Sequence, residues 1–255
     1  MTVVMSRPRI KRIAHAHSRT GTRYQLKTGS IWSRTARVRA QVVRRVCESL
    51  EKNYGKPRLG NPANPLDDLV YIIISNKTSP EMAASTYEKI KDRFPKWEDV
   101  LESHPSVLRS LLSQAGLSKV KSEQIRATLR KIKKDFRTCS LDSVRKRSEP
   151  EIEDYLVSLP GVSGKVAKCV MMYTLNSDVL PVDAHAHRIA TRLGWTARKR
   201  ADQCHDELEA LIPPRRRYAF HVGCVKHGRL VCRPKRPLCD QCSISSHCEY
   251  WKNLR

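Results

Sequence analysis

Cys232, Cys239, Cys242 and Cys248 follow the pattern C-x6-C-x2-C-x5-C within seventeen residues, and no other feature limits the possible folds of this chain as strongly. Four thiolates from one short segment can enclose a single centre, so this end of the chain is expected to wrap around a metal. Structural zinc usually draws on two separated C-x2-C knuckles. Here one knuckle is flanked by two outlying cysteines, a spacing that favours a cuboidal 4Fe-4S cluster. Arg233, Lys235 and Arg236 lie between the first two ligands, with Pro234 and Pro237 among them. A loop pinned and stiffened in this way presents three cations to a phosphate backbone at little ordering cost. The total of nine cysteines is odd, and in a basic chain this points to metal binding rather than a disulfide framework. The other five, Cys47, Cys139, Cys169, Cys204 and Cys224, are scattered singly and read as small buried hydrophobes.

The charge balance names a partner class. Lys plus Arg number 49 against 25 Asp plus Glu, a net +24. The excess is uneven, because twelve Lys or Arg and no acidic residue precede Glu48. Neutralising phosphates is the sequence-independent part of nucleic-acid affinity, so a polyanion such as DNA is the first partner to expect. A membrane surface would need an amphipathic helix or a lipidation signal, and neither is found. No apolar run approaches the length of a span, and MTVVMSRPRIKR lacks the apolar core of a secretory signal. An intracellular protein, acting as a monomer, is expected.

Residues 1–36 are rich in Arg, Ser, Thr and His without apolar periodicity, which predicts a disordered basic arm or an organelle transit peptide. An amphipathic helix follows over 35–53, with Val38, Val42, Val46 and Leu50 on its apolar face. From Leu66 to Asn176 the chain reads as short helices joined by Pro, Ser and Gly signals. The β-branched run Leu69–Ile74 is read as a buried helix running on through Met82 and Tyr87 to Ile90, because no other strand-like run exists to pair with it. The whole chain is therefore expected to be all-α.

Between two helical patterns lies Leu159-Pro-Gly161-Val162-Ser163-Gly164-Lys165. Two glycines permit a tight turn whose outward N–H groups, next to a helix start, can hold a phosphate oxygen. A plain helix–helix turn would use the same residues. Lys165 falls in the first turn of the next helix, where the positive helix end and a basic groove predict a lowered pKa and a nucleophilic amine. An arbitrary lysine is more often a solvated surface residue. Asp183 precedes another helical pattern and suits an N-cap; a capping carboxylate is also a rigidly held anion, able to stabilise positive charge developing on a sugar. His185 and His187 are candidates for DNA contacts or local hydrogen bonds, and their i, i+2 spacing makes no helical metal pair.

These motifs, in this order, resemble the endonuclease III branch of the helix-hairpin-helix DNA glycosylase superfamily. The likeness runs from about Ser33 to Glu249, and includes His227-Gly-Arg-Leu-Val-Cys232 and Gly116-Leu-Ser-Lys-Val-Lys121-Ser-Glu-Gln-Ile. The resemblance implies two all-α domains. One is a six-helix domain over 65–176 with the hairpin at about 152–172; the other is a 4Fe-4S cluster domain formed by 37–64 together with 177–255. Lys165 then matches the family's catalytic lysine and Asp183 its catalytic aspartate. Ile72 stands where the adenine-excising members carry a glutamate, which disfavours adenine. Asn76 or Lys77 occupies the family's usual glutamine position, and these residues with Leu117 are candidates to fill the gap left by an extruded base. The hairpin departs from the family's Gly-hydrophobic-Gly by the insertion of Ser163. Stretches such as Arg192-Leu-Gly-Trp195 look more like the plant 5-methylcytosine glycosylases.

The implied activity is excision of oxidised pyrimidines from double-stranded DNA, with a Schiff base on Lys165 and β-elimination. Alternatives are mismatched thymine or uracil, or 5-methylcytosine, on the same fold, a DNA-binding module without catalysis, and a redox-responsive regulator.

Overall fold

Local signals start most of the helices. Asn64 caps a helix that begins at Pro65, its Oδ1 accepting the Leu66 and Asp67 N–H groups at 2.9 and 3.2 Å. Ser79-Pro80 and His104-Pro105 repeat the device, a capping side chain followed by a proline whose missing N–H costs nothing at that position. The computed structural model describes residues 32–254. Its helices are α1 (Trp32–Tyr54), α2 (Pro65–Ser75), α3 (Pro80–Arg93), α4 (Trp97–Glu102), α5 (Pro105–Leu111), α6 (Ser118–Phe136), α7 (Glu149–Val157), α8 (Gly164–Thr174), α9 (Ala184–Arg192), α10 (His205–Leu211), α11 (Arg217–Leu230) and α12 (Glu249–Lys252). Short 3-10 turns link several of them, and no strand occurs among the described residues.

Two apolar cores organise these helices. The first gathers buried residues from Leu66 to Val179 around α2, which is buried along nearly its whole length and packs against α3, α6 and α8. The second joins Val43, Val46, Cys47 and Leu50 of α1 to residues from Leu180 to Ile244, so both ends of the described chain share one core. At its centre α11 lies against α1 and α9. Gly223 permits that closeness, since a Cβ there would meet the Leu50 Cβ at 3.1 Å.

Two expectations change. The helix expected over 69–90 is two helices: Ser79-Pro80 starts α3 afresh, and Lys77 turns the chain with a φ of 56°. The buried stripe of α1 is rotated, with Val43 and Cys47 joining Val46 and Leu50, while Val42 sits at its edge. Residues 1–31 of the expected basic arm lie outside the described residues, and 32–36 belong to α1. No helix among the described residues is long and apolar enough to cross a membrane.

Candidate active site

The turn between α7 and α8 is held from behind by α6. Gln124 Nε2 donates to Gly161 O at 2.8 Å and Thr128 Oγ1 to Pro160 O at 3.2 Å. Ser163 caps α8, its Oγ accepting the Val166 N–H at 3.4 Å. With these carbonyls drawn inward, the N–H groups of Gly161, Ser163 and Gly164 find no backbone acceptor among the described residues. Together with the positive end of α8 they form a seat for an anion. Val162, expected with its neighbours to offer a backbone N–H, instead donates that N–H to Leu159 O at 3.1 Å, and its side chain packs into the first core. Gly161 has a φ of +73°, and an added Cβ would meet the Gln124 side chain at 2.6 Å. Gly161→Ala should therefore lower stability by about 1 to 2 kcal/mol. It should also weaken duplex binding, read by thermal melting and a DNA titration.

Lys165, Asp183, Asn76, Lys77, Gly161, Ser163 and Gly164 all border one cleft of about 990 Å³. An inner recess of about 200 Å³ shares Lys165, Asp183, Ile72 and Ser75 with it and extends to Tyr173, His185 and His221. Residues 165, 169 and 173 stand at i, i+4 and i+8 on α8, so one helix face supplies the amine, a thiol and a phenol to this recess. Asp183 caps α9, with Oδ1 accepting from His185 N at 2.9 Å and Ala186 N at 2.8 Å. Burial alone would raise its pKa. His221, the Ala186 N–H, His185 and Lys165 outweigh that, and the carboxyl is held below the usual range.

Lys165 contradicts the sequence expectation. Its pKa is raised, first by the Cys169 sulfur with which it shares a hydrogen bond, and then by the carboxyl groups of Asp183 and Asp68, against a burial that pulls the other way. Burial pushes the Cys169 thiol itself up to about 11, so at neutral pH that sulfur is a hydrogen-bond partner and the carboxyl groups supply the charge. The positive helix end is present, but nearer anions overrule it.

Sequence reasoning missed the lining of the recess. His221 is fully buried, and burial lowers its pKa, so it is neutral near pH 7. Pro181 O, 2.9 Å from Nδ1, can only accept, which places the ring proton on Nδ1 and leaves Nε2 to accept from Tyr173 Oη at 2.6 Å. The Tyr173 hydroxyl, its proton committed, faces the recess as an acceptor. Asp68 is also fully buried: Oδ1 accepts from Asn61 at 2.5 Å, Oδ2 has no hydrogen-bond partner among the described residues, and burial raises the pKa to about 7. A carboxyl raised from 3.8 to about 7 in the fold costs nothing in acid, where it is protonated folded or unfolded. Its penalty grows as pH rises from about 4 to 7, because only the unfolded chain ionises freely. Asp68→Asn should thus raise stability at pH 8 by about 2 to 4 kcal/mol and leave it nearly unchanged at pH 4, as denaturant titrations at both pH values would show.

Helix α9, about 14 Å long, runs from this cleft to the cysteines. Cys232, Cys239, Cys242 and Cys248 border one void together with Arg192 and His227. Arg192 Nη1 donates to Cys232 Sγ at 3.1 Å and to Arg233 O at 2.9 Å, and Nη2 donates to Pro234 O at 3.1 Å. His227 Nε2 lies 3.4 Å from Cys242 Sγ, while its Nδ1 meets Tyr54 Oη at 2.9 Å. None of the four cysteines forms a disulfide. No three His, Cys, Asp or Glu side chains among the described residues converge on a point one ion could occupy. Four thiols bordering one void are soft sulfur donors, the donor chemistry an iron-sulfur cluster takes.

Of the remaining candidates, His185 borders the recess and His187 the cleft, while the others lie outside both. Leu117, 49% exposed with a φ of 52°, projects from the turn before α6. Arg233, Lys235 and Arg236 are exposed on the cysteine loop and do not border the cleft. His185 Nδ1 lies 3.1 Å from Arg188 Nη2, and His187 Nε2 lies 2.8 Å from Arg198 O, so both histidines make local hydrogen bonds.

Comparison with known proteins gives the family and the fold. A family model described as HhH-GPD superfamily base excision DNA repair protein matches residues 70–214. Over 196 residues the chain is 26% identical to Endonuclease III of Thermotoga maritima, covering 77% of this chain and 88% of that one. Over 227 residues it is 25% identical to Endonuclease III of Rickettsia conorii, 86% of this chain and all of the other. Its fold matches a solved non-covalent endonuclease III–DNA complex with a TM-score of 0.73 at 20% identity, over 84% of this chain and 97% of that one. It also matches a thermostable thymine-DNA glycosylase with a TM-score of 0.70 at 21% identity, over 86% and 99%. A basic chain whose cleft joins a hairpin anion seat to a lysine and a capped aspartate, in the endonuclease III fold, thus belongs to the HhH-GPD superfamily and is an endonuclease III-like base excision repair DNA glycosylase.

Proposed function

We propose that this glycosylase is bifunctional, excising oxidised pyrimidines from duplex DNA and then nicking the strand. The observation that carries the reading is that Lys165 and Asp183 border both the cleft and its inner recess. A base inside a duplex cannot be reached, so the target nucleotide is turned out at a cost of a few kcal/mol, least where it is damaged or mispaired. Asn76 or Lys77 and the projecting Leu117 fill the vacated space, and the hairpin N–H groups hold a phosphate. Arg233, Lys235 and Arg236 add backbone contacts from the cysteine loop, and His185 contributes on the groove side.

As the C1′–N bond breaks, the Asp183 carboxylate stabilises the positive charge on the sugar. Lys165 Nζ, having lost its proton, bonds to C1′ and the base leaves with the bond's electron pair. Loss of one proton from that nitrogen, with O4′ taking up a proton as the C1′–O4′ bond breaks, opens the sugar ring to a protonated Schiff base, which acidifies the proton on C2′. Loss of that proton breaks the C3′–O bond, and water then releases the lysine. The Lys165–Asp183 pair supplies a route for the first proton, since the amine begins as an ammonium.

In the same reading, residues 65–176, which carry the seven helices α2 to α8 rather than the six expected, form one domain and 37–64 with 177–255 a cluster domain, a division supported by the two apolar cores. Cys232, Cys239, Cys242 and Cys248 would hold a 4Fe-4S cluster, which supplies a structural cross-link and a local charge. Arg192 holds the Cys232 end of that site through its sulfur and the next two carbonyls.

A panel of duplexes carrying an oxidised pyrimidine, uracil, mismatched thymine or 5-methylcytosine, each incubated with borohydride, tests the reading. The oxidised pyrimidine should give the fastest base release and a covalent adduct. A faster reaction on another member would reassign the substrate, and base release without any adduct would remove the lyase step.

A further inference from the structure

Lys121, on α6, is 2% exposed and has no carboxylate partner among the ion pairs of the described residues. Burial lowers its pKa. Its three donors are nonetheless all used: Nζ donates to Ile74 O at 2.7 Å, to Thr78 Oγ1 at 2.7 Å and to Ala115 O at 2.8 Å. Thr78 Oγ1 closes the set, lying 2.7 Å from the same Ala115 O. One ammonium therefore joins two turns that lie far apart in sequence, the one after α2 and the one before α6. A cation that merely capped the C-terminal end of α2 would need only the Ile74 carbonyl.

Each clasped turn carries a residue in the left-handed region without being glycine. Lys77, with a φ of 56°, lies between Ile74 and Thr78; Leu117, with a φ of 52°, follows Ala115 by two positions. Such conformations are unfavourable for residues with a Cβ and persist where surrounding bonds over-determine them. The side chains they aim are exposed. Lys77 borders the cleft, and Leu117, with Val120 one turn on at 58% exposure, forms an apolar tip. Gln124 and Thr128, on the same helix as Lys121, hold the hairpin that seats the phosphate.

We infer that Lys121 is a positioning residue for base extrusion, fixing the Lys77 turn and the Leu117 turn at one spacing so that both enter the duplex together. The inference rests on the reading of those turns as the elements that fill the vacated stack. Rigid spacing matters because two elements entering the duplex independently would each have to find the geometry anew.

The test uses the full chain with Lys121→Met and Thr78→Val, the second removing only part of the clasp. A 2-aminopurine opposite the target base reports unstacking by its fluorescence and needs no chemistry. Borohydride trapping on single-stranded DNA with an abasic site reports the chemistry without any base to extrude. Lys121→Met should abolish most of the fluorescence rise and slow single-turnover excision from duplex at least tenfold, with single-strand trapping within about threefold of wild type. Thr78→Val should move both duplex readouts in the same direction by a smaller factor and keep its melting temperature.

Equal losses on duplex and single strand would make Lys121 a stability residue and overturn the inference. An undiminished fluorescence rise in either folded variant would overturn it as well, and Thr78→Val decides alone if Lys121→Met fails to fold. Failure of the underlying reading shows instead in the wild type, as absence of any fluorescence rise on binding damaged duplex.

Discussion

Lys165→Ala should eliminate borohydride trapping on abasic-site DNA and lower base release by roughly 10³-fold or more, the scale expected when a nucleophile is lost. The variant should keep its fold. Lys165 is only partly buried at the edge of the cleft, and alanine is at least as good a helix former in the first turn of α8. Wild-type trapping should also rise with pH through neutrality. Only the free amine attacks, and the folded protein holds this amine above the ordinary lysine range through Cys169, Asp183 and Asp68. The free-amine fraction therefore grows about tenfold per pH unit over that interval. A trapping rate independent of pH between 6 and 8 would show that substrate binding, rather than solvent pH, sets the charge of the amine. Trapping by Lys165→Ala at the wild-type level would remove Lys165 from the chemistry.

Asp183→Asn separates the two tasks of that side chain. Asparagine caps a helix as well as aspartate does, so the His185 and Ala186 N–H groups keep an acceptor and the melting temperature should change little. The charge is gone, and with it the stabilisation of a sugar cation. Base release should fall by about 10²- to 10³-fold, the range measured when one preorganised electrostatic partner of a transition state is removed. Asp183→Ala should instead lose both the activity and about 1 kcal/mol of stability. If Asp183→Asn excises at the wild-type rate, the carboxylate is a cap and nothing more.

How far the chain could be read from its residues depended on how local each feature is. The cysteine run, the Gly161 turn and the Asp183 cap are each encoded within a few positions. Spacing alone told which side chains meet, because a turn or a helix start needs only its neighbours to form. The all-helical character followed from the same kind of signal. Where one proline reset a helix, as Ser79-Pro80 does, apolar periodicity ran straight through the break.

The lining of the site was not legible, since its contacts join residues that only packing brings together. Tyr173 and His221 meet across 48 positions, Arg192 and Cys232 across 40, Lys121 and Ile74 across 47. The helical spacing of 165, 169 and 173 was the one signal that could have pointed to the cysteine and tyrosine. The charge state of Lys165 was misjudged for the same reason. Its own helix end favours the neutral amine, but Cys169 one turn on, and then Asp183 from α9 and Asp68 from α2, raise its pKa instead. Residues alone determined the all-helical character, the hairpin turn and the Asp183 cap, because motifs and capping are local. Tertiary structure decided the protonation of the amine, the acceptor role of Tyr173 and the clasp at Lys121, because those depend on fields and hydrogen bonds between helices that are remote in sequence.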